Sequence, residues 1–340
     1  MKEASFLVSL VFSVLIIIGV AGVLVIIDAA TTINNNVLAF ASPSLSSSST
    51  NSSASSTTTA ASQPFSFFDN LETNKVRVYD IDIAYKIFGK GKPLILIPGF
   101  SMTMDMWDPN MLNELSSNHT IIIFDNRGVG ETTAGNNIKK FSIQQFANDT
   151  AGLLAALKID NNKPLDILGT SLGGFIAQEF ALSYPEKVDR LILYASTCGG
   201  KEAIPPQISP KAMRSMVSGN ASKDLFLSTL FPKEWINENI EYIEKNFVFP
   251  MGKVSTENIQ RQSEVATNWN GSCDRLSSIT KPTLVITGTE DIISPPENSL
   301  MIAERIPGAW LVQMEGGGHG LMFQYPEKFT RVLETFLSVS

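Results

Sequence analysis

The chain has 340 residues, 44% of them apolar and 17% charged, which is ample for a large buried core and excludes a wholly disordered protein. Its net charge of −7 comes with no basic block, which argues against nucleic acid as a partner. Two cysteines, Cys198 and Cys273, are too few for a disulfide framework. Two free thiols are expected, the alternative being one bridge across the base of the insertion described below.

Phe6 through Ile27 carry no charge, a run long enough to cross a bilayer with some tilt. It is longer than a usual secretory apolar region, and Ala39-Phe40-Ala41, which looks like a signal-peptidase site, lies far beyond it. Residues 1–28 are therefore read as a transmembrane anchor in preference to a cleaved signal. Lys2 before the run and Asp28 after it place the remainder in an extracytoplasmic, membrane-anchored setting, or a secreted one if the segment is removed. Residues 29–69 form a linker, because positions 42–62 are almost wholly Ser, Thr, Ala and Asn and cannot bury enough apolar surface to order themselves. Asn51, Asn118, Asn148, Asn220 and Asn270 each open an N-x-[ST] triplet, which suits an extracytoplasmic domain.

Alternating apolar residues from Lys75 to Gly89 predict a hairpin of half-buried strands. Pro93–Ile97 and Thr120–Phe124 are short, continuously apolar runs, as in a sheet covered on both faces. Between them a helix is expected near Asp105–Leu115. Ser142 then caps a long helix to about Leu157, with Gln145 in the capping-box position. The strand Leu165–Thr170, a helix after it and the strand Arg190–Ser196 continue the alternation. From Gly199 to about Ser272 the rhythm breaks into helical stretches near Pro210–Ser218, Lys233–Asn246 and Thr256–Asn268. Met213, Phe226, Phe231, Trp235 and Phe247 give this region more apolar surface than short helices need. It is read as a helical cap over the carboxyl edge of the sheet, the alternative being a side bundle with its own core. Strands over Pro282–Gly288 and Ala309–Glu315 follow, with helices over Glu297–Ile306 and Pro326–Leu337. The fold class is α/β: a mostly parallel, doubly wound sheet with a helical cap inserted after the sixth strand. The core comprises 70–198 and 273–340, and the cap 199–272.

Gly169-Thr170-Ser171-Leu172-Gly173 fits G-x-S-x-G between a predicted strand and a predicted helix. A strand that turns sharply into a helix strains its apex residue, and only small neighbours let the two elements approach. That geometry lifts the Ser171 hydroxyl clear of the sheet as a candidate nucleophile. A serine hydroxyl needs a base with a pKa near 7. Of the two histidines, His119 precedes a strand on the amino edge and is read as a surface residue, whereas His319 follows a strand on the same edge as Ser171. Glu290 and Asp291, after the Pro282–Gly288 strand, both reach that edge; Asp291 is preferred as the acid that orients His319, because it lies farther along the loop. The oxyanion donors are expected to be the backbone N–H of Leu172, at a helix N-terminus, and that of Phe100, in the loop after the first central strand.

These segments resemble the α/β-hydrolase superfamily, from about Asn70 to the C-terminus. The matching stretches are Ile97-Pro98-Gly99-Phe100, Phe124-Asp125-Asn126-Arg127-Gly128, Gly169 to Gly174, Gly288-Thr289-Glu290-Asp291 and Gly318-His319-Gly320. Within the superfamily the chain is most similar to capped serine hydrolases that include enol-lactonases, carboxylesterases and cofactor-free haloperoxidases. The resemblance implies a Ser-His-Asp triad and an acyl-enzyme intermediate; Pro98 departs from it where many relatives carry histidine. A serine at 171 argues against relatives that use an aspartate nucleophile. Arg127 is expected to tie down neighbouring loops, and Trp107 and Phe100 to line the acyl pocket, with core packing the alternative for Trp107.

Gly128-Val129-Gly130 follows a strand, but Thr133 occupies the third glycine position, so a dinucleotide fingerprint fails. No cofactor and no metal are expected. The expected activity is hydrolysis of a small-molecule carboxylic ester or lactone. The competing readings are a non-catalytic surface binding protein on the same fold and a peroxidase-like or carbon–carbon bond hydrolase.

Overall fold

A computed structural model describes residues 71–135, 141–159, 163–247, 249 and 254–339, together with the backbone of 17–19 and 22–27. Among these residues ten strands form one sheet. In chain order they are β1 (Ile17–Gly19), β2 (Gly22–Ile27), β3 (Asn74–Val78), β4 (Ile81–Gly89), β5 (Lys92–Ile97), β6 (His119–Phe124), β7 (Leu165–Thr170), β8 (Val188–Tyr194), β9 (Thr283–Gly288) and β10 (Trp310–Met314). The spatial order is β1-β2-β10-β9-β8-β7-β5-β6-β4-β3. The strands from β6 across to β10 are mutually parallel, and the β3–β4 hairpin adds antiparallel to β6.

Strand residues alternate between the two faces, which is why the central strands read as unbroken apolar runs. Ile95, Ile167, Leu191 and Val285 join one core with α2 (Ile143–Ala156), α3 (Leu172–Ser183) and α9 (Pro296–Arg305). Leu94, Leu168, Ile192 and Leu284 join the other with α1 (Pro109–Leu115) and α11 (Pro326–Ser338). Short polar side chains start several of these helices. Asp108 accepts from the Met111 amide at 2.7 Å, and Ser142 from that of Gln145 at 3.1 Å. After β5 the chain crosses to β6 on one side, whereas β7 pairs on the other. The loops leaving β5 and β7 therefore diverge, opening a crevice at their carboxyl ends.

Between β8 and β9 lie α4 (Pro210–Val217), α5 (Lys223–Leu230), α6 (Lys233–Glu238), α7 (Ile240–Asn246) and α8 (Thr256–Asn268). α5 is an element that the apolar pattern alone does not mark, and Asn239 splits the stretch expected as one helix into α6 and α7. Among the described residues these helices form no separate buried cluster. Leu227, Phe231, Ile243 and Phe247 merge with the α1–α11 core, and Phe247 meets Phe323 edge-on at 4.9 Å.

Two expectations are corrected here. Cys198 and Cys273 are bonded to each other, with Cα atoms 5.1 Å apart, not free. The two crossings between sheet and helical insertion run side by side, the Ser272 amide donating to the Cys198 carbonyl at 2.8 Å, so the thiols are forced together. The described part of the expected membrane-spanning run is strand: β2 pairs parallel with β10 and β1 antiparallel with β2. A run rich in Val and Ile and apolar on every side suits a strand as well as a helix. Among the described residues no helix is long and apolar enough to cross a membrane. The rest of residues 1–69, including the Ser/Thr-rich linker, lies outside the described residues.

Candidate active site

Ser171 follows β7 and caps α3 with φ 52° and ψ −118°, a backbone conformation that side-chain-bearing residues rarely adopt. Its surroundings fix it there. The Ser171 N–H donates to the Tyr194 carbonyl at 2.9 Å, and the Ser171 carbonyl accepts from the Gly174 amide and the Ser196 hydroxyl, both at 2.9 Å. A Cβ at Gly169 would lie 2.3 Å from the Gly173 carbonyl oxygen, and one at Gly173 would lie 2.1 Å from that of Ile97. The glycine spacing thus reflects helix α3 lying directly against β7 and β5.

The loops after β9 and β10 press together in the same way. A Cβ at Gly288 would sit 2.0 Å from the Gly317 carbonyl oxygen, and the Glu290 amide donates to that oxygen at 2.8 Å. This contact carries His319 over Asp291, whose carboxylate oxygens lie 2.8 and 3.1 Å from His319 Nδ1. Asp291 is buried, and its Oδ1 also accepts from the amides of Ile293 at 2.9 Å and Ser294 at 2.8 Å. A carboxylate only accepts, so Nδ1 carries the proton and the lone pair of the neutral ring is on Nε2. Glu290, the other candidate acid, is exposed and makes no such contact. Tyr194 braces the His319 segment from below: its hydroxyl donates to the His319 carbonyl at 2.6 Å and accepts from the Met322 amide at 3.3 Å. Burial raises the Tyr194 pKa far above that of a free phenol, so it remains a donor. The sequence gives no sign of this role, because Tyr194 reads as one more apolar strand residue.

The β5 loop packs against the serine turn, where a Cβ at Gly99 would lie 3.3 Å from Ser171 Cβ. Its course is pinned at several points. Asn126 Nδ2 donates to the Pro98 carbonyl at 3.0 Å, the Ser101 amide donates to Gln262 Oε1 at 2.8 Å, and the Met104 amide donates to Asp125 Oδ1 at 2.7 Å. Burial is the main reason that the Asp125 carboxyl is pushed up to about 6, despite the amides of Met104 and Glu131 that it accepts. Among the described residues, the amides of Phe100 and Leu172 have no intramolecular acceptor. Leu172 opens α3, where the helix supplies none.

Ser171, His319, Phe100 and Tyr194 line one cavity of about 370 Å³, closed by Phe226, Phe247 and Phe323. A second space of about 1300 Å³, bounded by Phe175, Trp269 and the 199–206 segment, also reaches Phe100, Ser171 and Leu172. The two meet at the serine.

Three further side chains fall elsewhere. Trp107 is buried in the α1–α11 core and lines neither cavity, which settles its role as packing. Arg127 is buried between Asp149, at 2.7 and 2.8 Å, and Asp80, at 2.9 Å, so it ties loops together. His119 is a correction: it opens β6 at the amino edge, but it is buried, with Nε2 3.4 Å from Glu334 Oε2 of α11. The helix that returns over that edge covers it. Among the described residues no group of three or more His, Cys, Asp or Glu side chains is arranged to hold a metal ion.

Comparison with known proteins gives the same architecture. A protein of Azorhizobium caulinodans named "Putative carbamate hydrolase RutD" is 28% identical over 266 residues, covering 76% of this chain and 95% of the relative. A thermophilic esterase from Thermogutta terrifontis superposes with a TM-score of 0.66 at 25% identity, covering 78% of this chain and 98% of that one. Est816, described as an N-acyl homoserine lactone degrading enzyme, superposes with a TM-score of 0.62 at 26% identity, covering 77% and 100%. The family model for the alpha/beta hydrolase fold matches residues 92–326, which span β5 through the start of α11, and the chain belongs to that family.

Proposed function

We propose that this α/β hydrolase is a serine hydrolase that cleaves carboxylic esters or lactones through an acyl-enzyme. The observation that carries the reading is the Asp291–His319 pair at 2.8 Å, facing the same cavity as Ser171. His319 Nε2 takes the Ser171 proton as Oγ attacks the substrate carbonyl. The amides of Phe100 and Leu172 receive the developing oxyanion, each worth roughly 3–4 kcal/mol of barrier. His319 then returns the proton to the leaving alcohol and activates water, whose attack releases the acid and frees Ser171. Asp291 stabilises the imidazolium throughout without itself taking the proton.

The substrate class draws on the cavities. The smaller lobe is walled by Met102, Phe226, Phe247, Met322 and Phe323, which suits an apolar acyl group, and the larger leaves room for the alcohol side. Similarity to an esterase and to a lactone-degrading enzyme supports the same choice. We also place the domain in an oxidising, extracytoplasmic compartment, because a buried structural disulfide persists there and is rare in reducing cytosol.

A series of p-nitrophenyl esters and simple lactones tests the activity. Each added acyl methylene buried in the apolar lobe is worth about 0.8 kcal/mol, so kcat/KM rises about fourfold per carbon until the lobe is full. Ser171→Ala abolishes both turnover and labelling by a fluorophosphonate without unfolding the protein. A folded wild type that takes no adduct on Ser171 supports the silent, ligand-binding reading instead.

A further inference from the structure

The β5 loop is held from three sides, and only two of them belong to the sheet. Asn126 and Asp125, after β6, hold the Pro98 carbonyl and the Met104 amide. The third hold comes from α8 in the helical insertion, where Gln262 Oε1 accepts from the Ser101 amide at 2.8 Å across 161 positions of sequence. Gln262 is fully buried, and its Nε2 has no hydrogen-bond partner among the described residues. A buried amide with one half unsatisfied is a costly way to fill space, and an apolar side chain of that length would fill it without the penalty. Ser101 itself sits at φ 53°, a left-handed conformation that a non-glycine residue leaves readily unless it is held.

We propose that Gln262 is a positioning residue for the oxyanion site: helix α8 locks the Ser101 amide, and that lock fixes the direction of the Phe100 N–H. The inference rests on the serine-hydrolase reading above. The Phe100 N–H belongs to the Gly99–Phe100 peptide, whose carbonyl accepts from the Met102 amide at 3.3 Å; one peptide earlier Asn126 holds the Pro98 carbonyl, and one peptide later Gln262 holds the Ser101 amide. Releasing the Ser101 amide lets Ser101 return toward ordinary φ and turns the loop away from Ser171. The seat of α8 is itself defined, because Asn258 Nδ2 donates to the Gly128 carbonyl at 2.9 Å, beside the turn that carries Asp125 and Asn126. The same helix meets the cavity through Thr256 and Ile259. One helix therefore lines the cavity on one side and holds the β5 loop on the other.

Two near-isosteric variants separate positioning from packing. Gln262→Met keeps length and volume but removes the acceptor, whereas Gln262→Glu keeps an acceptor oxygen and replaces the unpartnered nitrogen with a second carboxyl oxygen, which full burial holds in the neutral form. In full-length protein with a p-nitrophenyl ester, Gln262→Met lowers kcat by about 10- to 100-fold, part of what losing an oxyanion donor costs, with KM within about twofold. Gln262→Glu stays within about threefold of wild type in kcat. Amide hydrogen exchange at Ser101 is slow in wild type and in Gln262→Glu, and fast in Gln262→Met. Unchanged kcat in Gln262→Met, or equal impairment of both variants, overturns the inference while leaving the serine-hydrolase reading intact. Fast exchange at Ser101 in the wild type overturns it with no variant needed. Wild-type protein that neither turns over esters nor labels at Ser171 overturns the underlying reading and the inference together.

Discussion

Replacing Asp291 by asparagine changes one atom and, on the geometry here, inverts the base. Asp291 Oδ1 accepts two backbone amides, from Ile293 at 2.9 Å and Ser294 at 2.8 Å. An asparagine amide keeps both only with its oxygen at that position, since the alternative aims an NH₂ at two buried donors. Its nitrogen then occupies the Oδ2 position, 2.8 Å from His319 Nδ1. Nδ1 must now accept, so the ring proton moves to Nε2, and Nε2 no longer has a lone pair for the Ser171 proton. A wrong tautomer of this kind costs about 10⁴ in kcat, or about 5.5 kcal/mol of barrier. Because Asp291 touches no substrate, KM stays within about twofold. The assay is steady-state ester hydrolysis by purified Asp291→Asn, with the His319 tautomer read by ¹⁵N NMR and Glu290→Gln as control. Glu290 is exposed and away from the ring, so its variant keeps wild-type rates. Activity of Asp291→Asn within tenfold of wild type, or Nδ1 still protonated in the variant, refutes the reasoning.

Three other outcomes follow from the same structure. The Cys198–Cys273 bridge closes a loop of 75 residues, so the double alanine variant loses about 4 kcal/mol and its Tm falls by about 10 °C in calorimetry; equal Tm values exclude the bridge as a stabilising staple. Gly173→Ala places a Cβ 2.1 Å from the Ile97 carbonyl oxygen, so β5 must retreat; a stability loss of about 1–3 kcal/mol and at least a tenfold fall in kcat are expected, and an unaffected variant contradicts the close approach. Asp125 titrates near 3.8 when unfolded and about 6 when folded, so the folded state binds more protons between those values. Its favourable contribution is full below pH 3.8 and is lost as the pH rises through about 6, by about 3 kcal/mol in all. Urea unfolding of wild type and Asp125→Asn should show their stability difference shifting by that amount toward the variant between pH 4 and 7, and a flat difference refutes the assignment.

What the sequence makes legible is whatever depends on local pattern. Continuous apolar runs mark strands buried on both faces, and the loops that end them bring Ser171, Asp291 and His319 to one edge of a parallel sheet. Glycines at 169, 173 and 288 announce close backbone approaches, and each is a place where a Cβ would collide with a carbonyl oxygen. What depends on distant packing is not legible. The disulfide requires the two ends of a long insertion to return side by side, which no local pattern encodes. The burial of His119 requires α11 to lie over the amino edge with Glu334 facing it. Gln262 shares the buried face of α8 with Ile259 and Val265, where the pattern would favour an apolar side chain, and nothing in the sequence shows that it meets the Ser101 amide there. The strands Ile17–Gly19 and Gly22–Ile27 are not legible for a different reason, since unbroken apolarity carries no periodicity by which helix and strand could be told apart.

The division of labour between sheet and insertion bears on how specificity and rate are linked. The strand ends and the glycine contacts at 169, 173 and 288 place Ser171 and the Asp291–His319 pair without insertion residues. The insertion enters at two other places. The Gly320 amide, next to His319, donates to the Leu230 carbonyl at the end of α5 at 2.8 Å, and the Ser101 amide, next to Phe100, donates to Gln262 of α8. Each contact falls one residue from a group that the mechanism needs in register. Those same two helices supply Phe226, Leu230, Thr256 and Ile259 to the cavity wall. On the proposed mechanism a substrate that fits the wall acts on both contacts at once, and a misfit that shifts α5 or α8 disturbs His319 and the Phe100 amide before any chemistry begins. Discrimination among acyl groups should on this argument fall on kcat as well as on KM, which is how binding energy remote from the carbonyl comes to be used at the reacting atoms.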